Sequence, residues 1–150
     1  MGIESLFRLS TSIEIAANSS TVWNILIDFN KYGEWNPFIR SIECRPMVGA
    51  RLNVFLQPSG TKGTRFRPKL LELSEEVRIR WLGRLWIPGL FEGEHSFSIT
   101  KNSDGTVRFV QEETFRGMFV PLLRKSLEND TKRGFEEMNR ALKARSEKER

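Results

Sequence analysis

Two stretches in the last third of the chain set polar side chains at alternate positions among aromatics. Along 91–99, Phe91, Gly93, His95, Phe97 and Ile99 share one side of an alternating pattern, with Glu92, Glu94, Ser96 and Ser98 on the other. Along 107–116, Val107, Phe109, Gln111, Glu113 and Phe115 form the more apolar side. Alternation of this kind marks strands with one buried face, so His95, Gln111 and Glu113 are expected to point inward. The connection KNSDG (101–105) reads as a hairpin loop with glycine at its end. Centring the turn on Ser103 pairs Phe97 with Phe109 and His95 with Gln111, which leaves Glu113 on the diagonal from His95.

An inward carboxylate must be hydrogen-bonded, paired or protonated, because burying it alone is prohibitively costly. Three readings of the group stay open. It is a core pair that fixes strand register, a polar anchor for a ligand, or an acid–base device. In the last, His95 moves a proton and Glu113 sets its tautomer, making these two the catalytic candidates. No other catalytic constellation stands out. The sequence has no glycine-rich phosphate loop and no nucleophile with a base and an orienting group. Its soft metal ligands are one histidine and one cysteine, His95 and Cys44, far apart in sequence. Neither a metal nor a cofactor is expected.

The lone Cys44 excludes an intramolecular disulfide, and a cytoplasmic setting is the expectation. No apolar run approaches the ~20 residues of a membrane span, so no integral membrane segment is expected. The start MGIESLFRLS lacks the pattern of a secretory signal. It has Leu6 where a myristoylation motif needs Ser or Thr. The net charge is +5, but acids and bases are interleaved, most plainly in 143–150. That is a solvated surface rather than a nucleic-acid footprint, and no nucleic-acid partner is expected.

The elements that must position the inward polar group follow from periodicity. Phe7, Leu9, Thr11, Ile13 and Ile15 alternate with polar residues as a half-buried strand. Asn18, Ser19 and Ser20 offer helix caps. A short helix over 21–29 follows, and KYGEWNPF (31–38) reads as a turn or second helical piece ended by Pro37. From Ile39 to Arg116 the pattern is β, with six strands. Pro68 marks an edge or bulge in the strand from Arg65 to Leu70.

From Pro121 onward the chain reads as one long helix, with Val120, Leu123, Leu127, Thr131, Gly134, Phe135, Met138, Ala141 and Leu142 in a single apolar wedge. At 1.5 Å per residue it spans about 40 Å. The 150 residues are read as one domain, 1–150, of α+β class: a seven-stranded antiparallel sheet wrapped on the long helix, with two short helices after the first strand. A sheet curled past a helix leaves a hollow suited to a small molecule. Candidate lining residues outside the long helix are Trp35, Phe66, Trp81, Phe91, Phe97, Phe109 and Phe115. Leu123, Leu127, Thr131, Phe135 and Met138 come from the helix, and His95, Gln111 and Glu113 orient a polar end. A solid core is the competing reading for all of them. The apolar loop Trp86–Phe91 reads as a lid, as ordinary packing, or as an association surface that would make a homodimer.

The stretches EIAANSSTVWNILIDFNKYGEWNPFIRSIE (14–43), RIRWLGRLWIPGLFEGEHSFSI (78–99), TVRFVQEETFRGMFVPLL (106–123) and GFEEMNRALKAR (134–145) carry a further signal. Together they resemble the SRPBCC superfamily, also described as START-like or Bet v 1-like, and within it the polyketide cyclase/dehydrase-like proteins. VW at 22–23, EWNPF at 34–38, GEHSF at 93–97 and EETFRG at 112–117 are the strongest local likenesses. The resemblance implies the helix-grip fold and a hydrophobic cavity for a lipid, polyketide or aromatic compound. It leaves open a binding or carrier protein, a cyclase or dehydratase using His95, and an interaction module using the Trp86–Phe91 loop.

Overall fold

A computed structural model describes residues 6–85, with backbone alone at Leu85, and residues 89–149. Positions 86–88 of the apolar loop Trp86–Phe91 lie outside the described residues. The element order is β1 (Leu6–Ile15), α1 (Ser19–Ile27), a single 3₁₀ turn, α2 (Tyr32–Trp35) and then β2 (Ile39–Glu43), β3 (Asn53–Leu56), β4 (Thr64–Phe66), β5 (Lys69–Ser74), β6 (Arg78–Leu85), β7 (Phe91–Lys101) and β8 (Val107–Arg116). The helical segments α3 (Val120–Ser126) and α4 (Lys132–Glu149) close the chain. No helix among the described residues is long and apolar enough to cross a membrane.

The strands form a five-stranded antiparallel sheet, ordered β1-β8-β7-β6-β5, and a three-stranded one, β2-β3-β4. Together with the C-terminal helix they make the helix-grip arrangement. There are eight strands among the described residues, where alternation alone suggested seven. The stretch from Arg65 to Leu70 does not run as one strand because Pro68 has no N–H to give a ladder. β4 stays with β3, β5 crosses to β6, and the two sheets are joined there by the bridge Arg51↔Lys69.

The β7–β8 hairpin differs from expectation in offset. Asn102 N–H donates to Thr106 O at 2.9 Å and Gly105 N–H to Asn102 O at 3.3 Å, with Gly105 in the left-handed region at φ 87°. The turn therefore centres on Asp104, Lys101 pairs with Val107, and every downstream pair moves by two. His95 faces Glu113 directly, Phe97 faces Gln111, and Gly93 faces Phe115. A shift of two preserves which side each residue takes, so the inward set is unchanged.

α1 starts as its sequence requires, with the Asn18 side chain accepting from Thr21 N–H at 2.9 Å. It buries Val22, Trp23, Ile25 and Leu26. The C-terminal helix is continuous from Val120 to Glu149, but Leu127–Thr131 makes a π turn between α3 and α4. On both sides of it the inward face follows the apolar wedge: Val120 and Leu127 are buried, Leu123 is half-buried and Leu122 is exposed, while α4 buries Gly134, Phe135, Met138, Asn139, Leu142 and Ser146. At Gly134 the helix closes on the segment that leads into β2. A β-carbon there would lie 2.2 Å from the ring of Phe38, which in turn packs edge-on against Phe135 at 5.7 Å. The absence of a side chain at Gly134 sets that approach.

Candidate functional site

The hollow expected between sheet and helix is present, and two facing glycines border it. Gly83 on β6 and Gly93 on β7 are directly paired. A β-carbon on Gly83 would meet the Phe66 ring at 3.0 Å, and one on Gly93 would meet Glu113 Oε2 at 2.3 Å. The sheet carries no side chain of its own at these two positions, and Phe66 and Glu113 lie directly against its backbone instead. Above it lies a cavity of about 350 Å³, within the range of small-molecule sites. Phe38, Leu56, Phe66, Phe91, Phe115 and Leu127 give it an apolar wall. The β3–β4 loop borders it through Pro58, Thr61, Lys62 and Gly63, and the helix through Ser126, Leu127, Asp130 and Thr131. The last four sit at or beside the π turn, a distortion common at functional sites.

Glu113 is the carboxylate on the inward face, with its side chain 13% exposed. Its Oε1 lies 3.1 Å from His95 Nδ1, and His95 Nε2 lies 3.0 Å from Gln111 Oε1. Gln111 Nε2 donates to Asn139 Oδ1 at 2.9 Å and to the Phe135 carbonyl at 3.4 Å, and Asn139 Nδ2 donates to Thr11 Oγ1 at 2.9 Å. One polar chain thus runs from the cavity floor through β7, β8 and α4 to β1. A carbonyl can only accept, so Phe135 orients the Gln111 amide with its nitrogen toward the helix. The imidazole itself is enclosed by Trp81, Phe97 and Phe135, whose ring centres lie 5.3, 4.8 and 5.0 Å away.

Across the cavity, the helix holds the β3–β4 loop. Arg133 donates from Nε to Ser59 Oγ at 2.9 Å and from Nη2 to Ser59 O at 2.7 Å and Asp130 Oδ1 at 2.9 Å. Ser59 Oγ donates to Glu137 Oε1 at 2.9 Å.

Of the residues singled out by sequence, Phe66, Phe91, Glu113, Phe115, Leu127 and Thr131 border this cavity. Trp81, His95, Phe97, Phe109, Gln111, Phe135 and Met138 do not; they are buried in the packed core behind it. Leu123 is half-buried against that core. Trp35 stands elsewhere, packed on Tyr32 beside a small polar cleft with Asn24, Asp28 and Arg145. Sequence reasoning missed Gly83, Phe38, Leu56, the β3–β4 loop and Asn139. Asn139 carried a readable signal, since it is polar and falls next to Met138 on the helix face that packs inward. Among the described residues, no group of three or more His, Cys, Asp or Glu is placed to hold a metal ion.

Residues 7–147 match the family described as polyketide cyclase / dehydrase and lipid transport. The chain belongs to that family. No curated protein matches it in sequence. Among solved structures, a START superfamily protein from Mycobacterium smegmatis is similar at 22% identity with a TM-score of 0.73, over 95% of this chain and 99% of that one. The Zhui aromatase/cyclase from Streptomyces sp. R1128 is 13% identical with a TM-score of 0.78, over 96% and 95% of the two chains. A norcoclaurine synthase point mutant from Thalictrum flavum, in complex with a transition-state analogue, is 11% identical with a TM-score of 0.77 over 99% of each chain. At these identities the likeness is one of fold. The shared fold is an antiparallel sheet packed on a long C-terminal helix.

Proposed function

We propose that this chain binds a hydrophobic or amphipathic small molecule in the cavity between the sheet, the β3–β4 loop and the π turn. The observation that carries the reading is the apolar hollow over the Gly83–Gly93 pair, with Glu113 as its internal polar group. Burying apolar ligand surface there is worth roughly 25 cal/mol per Å². Membership of a family described by cyclase, dehydrase and lipid-transport members is in keeping with a lipid, polyketide or aromatic ligand.

Binding is favoured over turnover by His95. Both its ring nitrogens are engaged, its ring is 3% exposed, and it does not border the cavity. A bound molecule has no route to exchange a proton with it directly, so a cyclase or dehydratase step using His95 lacks its contact.

The test is native mass spectrometry of the purified protein, with organic extraction of any cargo. In parallel, the neutral fluorophore N-phenyl-1-naphthylamine is titrated into delipidated protein and into Leu127→Trp, which fills the cavity. The expected result is a one-to-one apolar cargo or probe site that Leu127→Trp removes. No cargo together with no probe binding, or binding indifferent to Leu127→Trp, would refute the assignment.

A further inference from the structure

The polar chain behind the cavity determines what Glu113 presents to it. Gln111 Oε1 faces His95 Nε2, so that nitrogen must carry a hydrogen. The contact between His95 Nδ1 and Glu113 Oε1 then has to hold one proton. With none, two lone pairs would face each other in a buried site. The proton sits on Nδ1, giving imidazolium and carboxylate, or on Oε1, giving imidazole and carboxylic acid. In both arrangements the other carboxyl oxygen, Oε2, bears no hydrogen. Oε2 is the atom lying over Gly93 at the cavity floor, and among the described residues no protein group donates to it. The other charged groups bordering the cavity are at its outer side: Lys62 is exposed, and Asp130 is taken by Arg133 and Ser126.

We infer that Glu113 selects the ligand by hydrogen-bond direction: the cavity takes a neutral apolar molecule whose buried end carries a donor, a phenol or alcohol, and discriminates against the same skeleton ending in a carboxylate or an ether. This rests on the ligand-binding reading above and adds the polarity of the ligand's inner end. A donor reaching Oε2 satisfies an acceptor that is otherwise desolvated by the ligand itself. An ether leaves that acceptor unpaired. A carboxylate sets acceptor against acceptor and would have to turn outward.

The test compares four probes of one shape at pH 7.5, by calorimetry or fluorescence: naphthalene, 2-naphthol, 2-methoxynaphthalene and 2-naphthoate. In the wild-type protein 2-naphthol is expected to bind about tenfold or more tightly than naphthalene. The methoxy compound and naphthoate should bind no better than naphthalene. In Glu113→Met the naphthol advantage collapses to less than about twofold while naphthalene binding persists. In Glu113→Gln, whose nitrogen can donate to Nδ1 and whose oxygen still faces the cavity, most of the advantage remains.

Equal affinity for naphthol and its methyl ether, naphthoate matching naphthol, or a preference that survives Glu113→Met overturns the inference and leaves the cavity reading standing. Binding of none of the four, naphthalene included, overturns both. The wild-type series decides without either variant, so a misfolded variant does not protect the inference.

Discussion

Replacing Gly93 with Ala tests whether the cavity floor and the polar chain are one construction. The added β-carbon would lie 2.3 Å from Glu113 Oε2 and 3.2 Å from Cδ, with Phe115 Cδ1 in ordinary contact at 3.4 Å. Oε2 must retreat by about 0.7 Å to reach even 3.0 Å. The carboxyl group moves as a rigid plane, so Oε1 leaves its 3.1 Å bond to His95. A hydrogen bond to a charged group is worth about 1.5–3 kcal/mol. Against this, alanine in a strand gains about 0.5–1 kcal/mol over glycine. The net expectation is a loss of about 1–2 kcal/mol, or about 3–6 °C in Tm for a chain this long. In a Glu113→Ala background there is no carboxylate to displace, so the same substitution should stabilise by about 0.5 kcal/mol. Urea denaturation of the four proteins, compared at a common m-value, measures the coupling. A Gly93→Ala variant more stable than wild type, or an equal cost in both backgrounds, would refute the reasoning.

The remaining expectations concern the frame around the site. Gly134→Ala places a β-carbon 2.2 Å from the buried Phe38 ring. It should lower stability by about 1–3 kcal/mol, although alanine is better by about 1 kcal/mol in a free helix; a neutral result in thermal unfolding would deny the close approach. Arg133→Ala removes the bonds to Ser59 and Asp130, and because these groups are exposed it should cost less than about 1 kcal/mol. Hydrogen exchange over 58–63 should nonetheless quicken, and unchanged exchange would mean the loop is held by something else. Tyr32 is the sole tyrosine. It is fully buried and donates to Leu26 O at 2.6 Å. Burial, with a smaller push from Asp28, drives its pKa far above the usual 10.0. The folded state therefore keeps the phenol neutral, and the associated stability is whole below pH 10 and falls as pH rises beyond it. Tyrosinate absorbance should rise only together with unfolding; ionisation of Tyr32 in a folded protein would contradict the burial.

Much of this architecture was legible because burial imposes a period. The alternations in 7–15, 91–99 and 107–116 gave the inward faces correctly, His95 and Glu113 included, since a two-residue offset does not change side. The offset itself was not legible: it depends on where the turn centres, and the left-handed Gly105 moves that centre to Asp104. The split at Pro68 was visible as an edge or bulge, but not as a crossing between sheets, because alternation says nothing about which neighbour a strand will pair with. The cavity was the least legible part. Residue type cannot tell an aromatic on a wall, such as Phe91 or Phe115, from one in solid packing, such as Phe97 or Phe109. What separates them is which side chains close over Gly83 and Gly93, and alternation along one strand does not show what folds against it. Trp35 went astray because α2 is too short to have a periodicity of its own.

The π turn at 127–131 can also be regarded as an insertion that the helix has absorbed instead of looping out. One additional residue advances everything upstream by about 100° relative to everything downstream. The two halves of the C-terminal helix are therefore out of phase, and the register of α4 against the sheet does not dictate the orientation of α3. A lineage could lengthen or shorten this turn by a residue and swing Ser126 and Leu127 to new bearings around the cavity, while Gly134, Phe135 and Asn139 kept their places. The helix would then keep its packing against the core on one side of the turn and carry a freely re-aimed cavity surface on the other.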